Sequence, residues 1–357
     1  MRCSSVAELG LAAIALVGTA LLAAPGADAI TYGKQDCTDF SNSTTCHHPN
    51  TVSLSGFRAP TAAEIQNGTT SDISSIRCSG SLLSNSADRF EILTAGHCAS
   101  AYLAGLQDGP LVDVGVSFDP KIVKDLPKIS PEAWSPTQYI LGGQPVLSRD
   151  YGPQGAQASN IQFDYAVIVF ELPPADRRTQ GGQLVDLTNI EPVTLPERDY
   201  LLNRLSAKNP LLLTAVGYGT GEAHAIPGTG GNHGGAVNST EEFGERWMTA
   251  LTSAYHFMGP EQNLLFGSQN PARGFEGTCG GDSGGPMFEE VDGGEIQVAI
   301  TSSGDAVCRA SSIMARTDSK RAVDFLTCVN DPDKPLEQIE DCGCIDVNEQ
   351  GECPDIN

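Results

Sequence analysis

Positive charge is scarce in this chain of 357 residues: 21 Lys and Arg stand against 44 Asp and Glu, a formal net charge of −23. No basic cluster interrupts that balance, so neither nucleic acid nor an anionic membrane surface is an expected partner. A second long apolar run is also missing. The only one, Leu9 to Ala24, is roughly 16 residues long and falls short of the ~20 needed to span a bilayer. Arg2 precedes it and Ala27-Asp28-Ala29 follows as a small-x-small site, so residues 1–29 read as an export signal. The exported chain is then expected to be secreted, with no membrane attachment. No internal repeat is legible. The Cys-x-x-Cys knuckles of zinc modules are absent, and the alternation of Asp346, Asn348, Gln350 and Glu352 lacks the spacing of a calcium-binding EF-hand loop. Neither a metal nor another cofactor is expected, and the chain is expected to act as a monomer.

Cysteine, by contrast, is plentiful. Of eleven, Cys3 leaves with the signal, and ten remain at 37, 46, 78, 98, 279, 308, 328, 342, 344 and 353. An even number suits an oxidised, exported protein. Cys37 and Cys46 are near enough in sequence to close a short local loop. Cys328, Cys342, Cys344 and Cys353 allow three pairings that sequence does not rank, with zinc as the competing reading. With 40% of residues hydrophobic, the length suffices for one large domain or two packed barrels.

The chemistry concentrates in Thr278-Cys279-Gly280-Gly281-Asp282-Ser283-Gly284-Gly285-Pro286. Glycines let the backbone turn sharply and bring its amides close to a ligand. A serine hydroxyl is a poor nucleophile alone; it needs a base and a place for developing negative charge. Leu93-Thr94-Ala95-Gly96-His97-Cys98 offers the base, because imidazole both accepts and returns a proton near neutral pH. Asp164, at the head of the apolar run Tyr165 to Phe170, is the third polar member. The bland readings are a glycine turn, a structural histidine and a strand-start aspartate, and the three motifs together outweigh them.

These strings, in the order His97, Asp164, Ser283, resemble the histidine, aspartate and serine motifs of the chymotrypsin/trypsin family of serine endopeptidases. The resemblance covers about residues 30–329. It implies an all-β fold of two packed six-stranded antiparallel Greek-key barrels, an active site between them and a short C-terminal helix. It implies peptide-bond hydrolysis through an acyl-enzyme, with a protein or peptide substrate. The amides of Gly281 and Ser283 would form the oxyanion hole. Gly277, Thr278, Ser302, Ser303, Gly304 and Ser312 would line the specificity pocket. Without a carboxylate among these six, apolar or small side chains should be preferred, and Asp305 is the nearby acid that could attract a basic one. Disulfides Cys78–Cys98 and Cys279–Cys308 follow from the same resemblance. So does an activation pair, in which the α-amino group of Ile30, freed by signal removal, meets Asp282. A protease-fold binding protein without chemistry, and an esterase using the same nucleophile, are the competing functions.

In chain order, strands are expected at Pro49 to Leu54, Ile76 to Leu83, Phe90 to Thr94, Leu111 to Phe118, Asp164 to Glu171, Leu211 to Gly219, Trp247 to Ala254, Asn263 to Phe266 and Ile296 to Ser302. One helical turn is expected at Ala99 to Leu103. Asp318 is expected to cap a final helix with Ala322, Phe325, Leu326 and Val329 on one face. The glycine-rich stretch Thr220 to Thr240 reads as a loop with solvated His224 and His233. Residues 330–357 read as an acidic, disulfide-stapled tail.

Overall fold

Short runs of apolar and β-branched residues, ended by Gly, Pro, Asp and Asn, favour strands over long helices in this chain. The computed structural model describes residues 33–38, 45–67, 74–122, 138–151, 162–205, 210–220, 223–225, 237–239, 246–248, 252–258, 262–305, 307–332, 334–339 and 341–344. The signal segment 1–29, Ile30, His233 and residues 345–357 with Cys353 lie outside them.

The first eight strands are β1 (Lys34–Gln35), β2 (Thr51–Arg58), β3 (Ser74–Asn85), β4 (Phe90–Thr94), β5 (Leu111–Ser117), β6 (Ile140–Leu141), β7 (Gln144–Ser148) and β8 (Ala166–Phe170). Ten follow: β9 (Leu211–Gly217), β10 (Ala223–Ala225), β11 (Val237–Ser239), β12 (Trp247–Met248), β13 (Thr252–Met258), β14 (Leu264–Ser268), β15 (Pro286–Val291), β16 (Gly294–Gly304), β17 (Ser311–Arg316) and β18 (Gly343–Cys344). The helices are α1 (Ala62–Asn67), α2 (Gly96–Gln107), α3 (Tyr200–Arg204), α4 (Lys320–Val329) and α5 (Leu336–Ile339).

Sixteen of the strands form two antiparallel sheets of eight, and β10 and β11 pair separately, so the fold is mostly β. One has the order β18-β7-β8-β4-β3-β2-β5-β6, the other β1-β12-β9-β13-β14-β17-β16-β15. In the second, β15 also pairs with β9, and the hydrogen bonding returns on itself. β4 and β8 are buried at every residue, as central strands covered on both faces must be. Between them Phe90 stacks on Phe170 at 4.7 Å. One core cluster runs from Leu54, Ile92 and Val167 of the first sheet to Ile300 and Ala315 of the second and Phe325 of α4. The sheets are thereby welded by shared apolar burial, not merely adjacent.

α4 buries the expected Ala322, Phe325, Leu326 and Val329. Its cap, however, is Ser319, whose Oγ accepts the Ala322 N–H, and not Asp318. Asp318 is occupied elsewhere: its carboxylate accepts from the Arg316 guanidinium and from the Leu201 N–H. α2 runs well past the single turn expected, because Cys98, Ala99, Tyr102 and Leu103 all find apolar cover.

Four disulfides join described residues: Cys37–Cys46, Cys78–Cys98, Cys279–Cys308 and Cys328–Cys342. Cys344 is also disulfide-bonded. The zinc reading of the C-terminal cysteines therefore fails for these three, since their sulfurs are covalently used. The segment after α4 is less of a loose tail than expected. β18 adds to the edge of β7, Ile339 is buried, and the Arg89 guanidinium donates to the carbonyls of Val329, Asp331 and Lys334.

A second tie crosses between the sheets near the N-terminus. His48 Nδ1 lies 2.5 Å from Asp36 Oδ1, and its Nε2 lies 3.1 Å from Glu295 Oε2 on β16. The ring stacks on Phe288, and buried Arg246 lies 3.3 Å from the same Asp36. Burial disfavours the charged ring, but the hydrogen bonds and charges of Asp36 and Glu295 outweigh it and push the His48 pKa from 6.5 to about 9. A raised histidine pKa stabilises fully below the unfolded value of 6.5 and is lost as pH rises through about 9. Denaturant titrations across that window should show wild type losing up to roughly 3 kcal/mol. His48→Gln should be weaker at the acid end and lose this slope; an identical slope in both proteins would remove His48 from the account.

Candidate active site

Asp164 sits where β8 begins, after Tyr165 has turned back to bond its N–H to the Phe163 carbonyl. Its side chain is fully buried, so its oxygens must be met by donors. The His97 backbone N–H reaches Oδ1 at 2.7 Å, and His97 Nδ1 reaches Oδ2 at 2.9 Å. Ser302 Oγ donates to the same Oδ2. His97 enters as the second residue of α2, directly after β4, and Cys98 pins that turn to Cys78 of β3. Burial works against an imidazolium here, but the charge of Asp164 and its hydrogen bond prevail, and the His97 pKa is raised above 6.5.

Ser302, expected along the pocket wall, has its hydroxyl turned to Asp164. The cause is local. The β16–β17 register runs Thr301↔Met314 and then Ser303↔Ile313, which leaves Ser302 as the unpaired residue of a bulge. Bulges re-aim side chains in this way, and nothing in the sequence marks their position.

The Ser283 loop docks against this pair. The Ser79 N–H donates to the Ser283 carbonyl at 2.8 Å, and Ser79 Oγ donates to the Gly281 carbonyl at 3.0 Å. Cys98 Sγ lies 3.9 Å from the Ser283 carbonyl, which sets the serine loop beside the residue that follows His97. At Gly284 the backbone has φ +80°, and a Cβ there would lie 2.1 Å from Thr94 Oγ1. Only glycine satisfies both demands. The Ser283 hydroxyl itself makes no hydrogen bond among the described residues; such bonds are often loose without substrate.

Along the loop, the N–H groups of Asp282, Gly284 and Gly285 are engaged by the carbonyls of Cys279, Thr301 and Asp282. Those of Gly281 and Ser283 are engaged by no described residue. The peptide carrying the Gly281 N–H is held from its other end, since the Gly280 carbonyl accepts both the N–H and Oγ1 of Thr220. Two free amides beside a serine make a ready anion-binding cup.

Asp282 points away into the protein and is fully buried. It accepts the N–H groups of Cys279 and Gly219 at 2.9 and 2.8 Å. Burial outweighs these bonds and pushes its pKa from 3.8 to about 8. A Cβ at Gly217 would lie 2.1 Å from its Oδ1, so the glycine is what gives it room. Ile30, its expected partner, lies outside the described residues. Gln35 of β1 pairs with Trp247, which pairs with Gly217.

The remaining pocket residues are gathered. Gly304 is register partner to Ser312, whose hydroxyl meets Thr278 Oγ1 at 3.3 Å, and Gly277 precedes Thr278 in the buried wall. Ser303, beside the bulge, pairs with Ile313. Cys78, His97 and Cys98 cluster closely enough to suggest metal ligands, but the two sulfurs form a disulfide and leave only one ligand.

Asp164→Asn would remove the charge that raises the His97 pKa and leave the burial that lowers it. In an NMR titration of the imidazole, wild type should titrate above 6.5 and the variant at a lower pH. An unmoved midpoint would show that Asp164 does not govern the ring.

No family model matches the chain, and no curated protein matches it either, so the reading of the site rests on its own geometry.

Proposed function

We propose that this chain is a secreted serine endopeptidase of the chymotrypsin/trypsin kind, built on two six-stranded Greek-key barrels. The observation that carries the reading is the buried Asp164 holding His97 by both its N–H and its Nδ1, beside a serine loop with two unengaged amides. The disulfides support an oxidising compartment. Among the described residues no helix is long and apolar enough to cross a membrane.

In this reading a peptide enters between the sheets and His97 takes the proton of Ser283 as its oxygen attacks the carbonyl. Asp164 orients the ring and stabilises its charged form without taking the proton, and Ser302 fixes Asp164. The amides of Gly281 and Ser283 receive the oxyanion, a contribution worth ~10²–10³ in rate per donor. His97 passes its proton to the leaving amine, and water then releases the acyl group from Ser283. Ser283→Ala and His97→Ala should each lose ~10⁴ or more in peptide turnover. A serine-directed phosphonate should add one mass increment to wild type and none to Ser283→Ala. Turnover within about tenfold of wild type in either variant would overturn the proposal, and unlabelled wild type would point to a binding protein. Ester turnover without peptide turnover would point to an esterase.

The activation pair belongs to the same proposal. A buried carboxylate seeks a compensating charge, and an α-amino group on Ile30 would supply it at Asp282. Extending the mature chain by two residues before Ile30 should therefore abolish activity. It should also leave Asp282 with its raised pKa. Such a carboxyl is tolerated at low pH and costs stability as pH rises from 3.8 through about 8. Denaturation over this range should show that decline in the extended form and not in the correctly cut one. An extended form with full activity rules the pairing out.

A further inference from the structure

The side chain at the floor of the specificity pocket does not come from the residue that the wall places there. A Cβ built on Gly277 would lie 2.2 Å from Gln269 Cβ, 2.4 Å from Gln269 Cδ and 2.1 Å from Gln269 Oε1. Residue 277 is therefore obliged to be glycine, because Gln269, just past the end of β14, fills the volume its side chain would need. Gln269 is 1% exposed. Its amide clamps the wall at Thr278 from both sides: Oε1 accepts the Thr278 N–H at 2.9 Å and Nε2 donates to the Thr278 carbonyl at 3.2 Å. The second Nε2 hydrogen is directed to Asp305 Oδ1 at 3.4 Å.

Asp305, the nearby acid that could draw a basic side chain, is tied to the backbone beside it. Oδ1 accepts the N–H groups of Ala310 and Ser311, and Oδ2 accepts that of Arg309. Burial works against its charge, but these backbone donors hold its carboxyl below the ordinary range. Its Oδ1, the oxygen that faces Gln269, is fully engaged by Ala310, Ser311 and Gln269 itself. The floor is thus neutral, with both amide hydrogens used. Beside it, the buried Thr278 and Ser312 hydroxyls meet at 3.3 Å.

We propose that Gln269 sets the specificity of this site, closing the pocket beneath Thr278 and Ser312 so that it accepts a small uncharged side chain before the scissile bond. The inference rests on the endopeptidase reading for its substrate, though not for the shape of the pocket. A larger side chain would have to displace an amide whose two backbone partners would be left unpaired, which is costly in a buried wall. A cationic one would be buried against a neutral floor without a partner.

The test has two arms. In the first, kcat/KM is measured for peptide anilides differing only in Ala, Val, Leu, Phe or Lys before the cleaved bond. Wild type should favour Ala and Val. Gln269→Ala should raise the Phe-to-Ala ratio at least about tenfold, the scale on which a pocket discriminates by fit. Gln269→Leu, which fills the same space without the amide, should leave that ratio within about threefold. In the second arm, binding of p-cresol to the Ser283→Ala protein is read by NMR, with and without Gln269→Ala, and needs no catalysis. Binding should emerge only with the glutamine truncated. If Gln269→Ala does not fold, Gln269→Thr removes the same terminal amide with less volume lost and is judged identically. Phosphonate labelling of Ser283 with an unmoved substrate ratio and no p-cresol binding overturns the pocket inference alone. Absent labelling and absent turnover with p-cresol binding gained overturn the endopeptidase reading and leave the pocket inference standing. Best cleavage after Lys by wild type would also overturn it.

Discussion

A carboxylate without water must be surrounded by donors, and at Asp164 those donors come from both halves of the molecule. His97 arrives from the end of β4 in the first sheet, and Ser302 from a bulge in β16 of the second. If the sheets separated or slid, the charge would stay buried with its partners withdrawn, which is among the costliest local defects a protein can have. The shared core of Ile92, Val167, Ile300 and Ala315 gives the sheets a non-directional reason to associate. Asp164 gives them a directional one. The interaction that fixes the docking is thus also the one that orients the imidazole, so stability and site geometry are not separable here.

Asp282, equally buried, shows the opposite solution. Two backbone N–H groups are too little for a full charge, and its environment drives it toward the neutral acid. The glycines at 217 and 219 leave no side chain to fill the space around it. Its neighbour in sequence is Ser283, and the Asp282 N–H closes the turn onto Cys279. Any charge brought to this carboxylate acts directly on the turn that presents Ser283 and the two unengaged amides. The two buried acids thus differ in what they hold: Asp164 fixes the His97 ring, and Asp282 lies under the turn that carries Ser283.

What was legible in the sequence was local and chemically restrictive. The serine string and the histidine string each combine glycine, cysteine and a reactive side chain at fixed spacing, and few alternative folds tolerate that. Phe90 to Thr94 and Ala166 to Phe170 are continuous apolar runs, and both are fully buried central strands. What was not legible depended on register and on partners distant in sequence. Ser302 looks like a wall residue until the β16–β17 ladder slips by one. Gln269 carries no motif, and its role emerges only from the space left by Gly277. Ser319 and Asp318 both suit a helix cap, and the choice falls to Ser319 because Arg316 and Leu201 claim Asp318. β18 is only two residues long, and it pairs with β7 directly after Cys342, which is bridged to Cys328 of α4.

Scarce positive charge is spent in an unexpected place. Four arginines are largely buried, and each serves backbone carbonyls. Arg89 caps those of Val329, Asp331 and Lys334, Arg177 those of Leu172 and Ser86, Arg246 those of His48 and Thr51, and Arg316 that of Gln262. A planar fork of five donors suits such junctions, where chain segments meet without forming a ladder. Buried acids such as Asp36, Glu91, Asp164 and Asp318 accompany them inside, so the net −23 remains largely a property of the exterior. A long-range field of this sign draws in basic polypeptide segments and repels acidic ones, and it fades with salt over about 10 Å. On the proposed reading the pocket floor works at contact range without that charge preference, since Gln269 presents a neutral amide held by the Thr278 backbone and Asp305. If the proposed endopeptidase reading holds, charge would concentrate a substrate by its flanking residues, while the residue before the scissile bond would be chosen by volume and hydrogen bonding. The two selections would act on different parts of the same peptide and need not agree in sign.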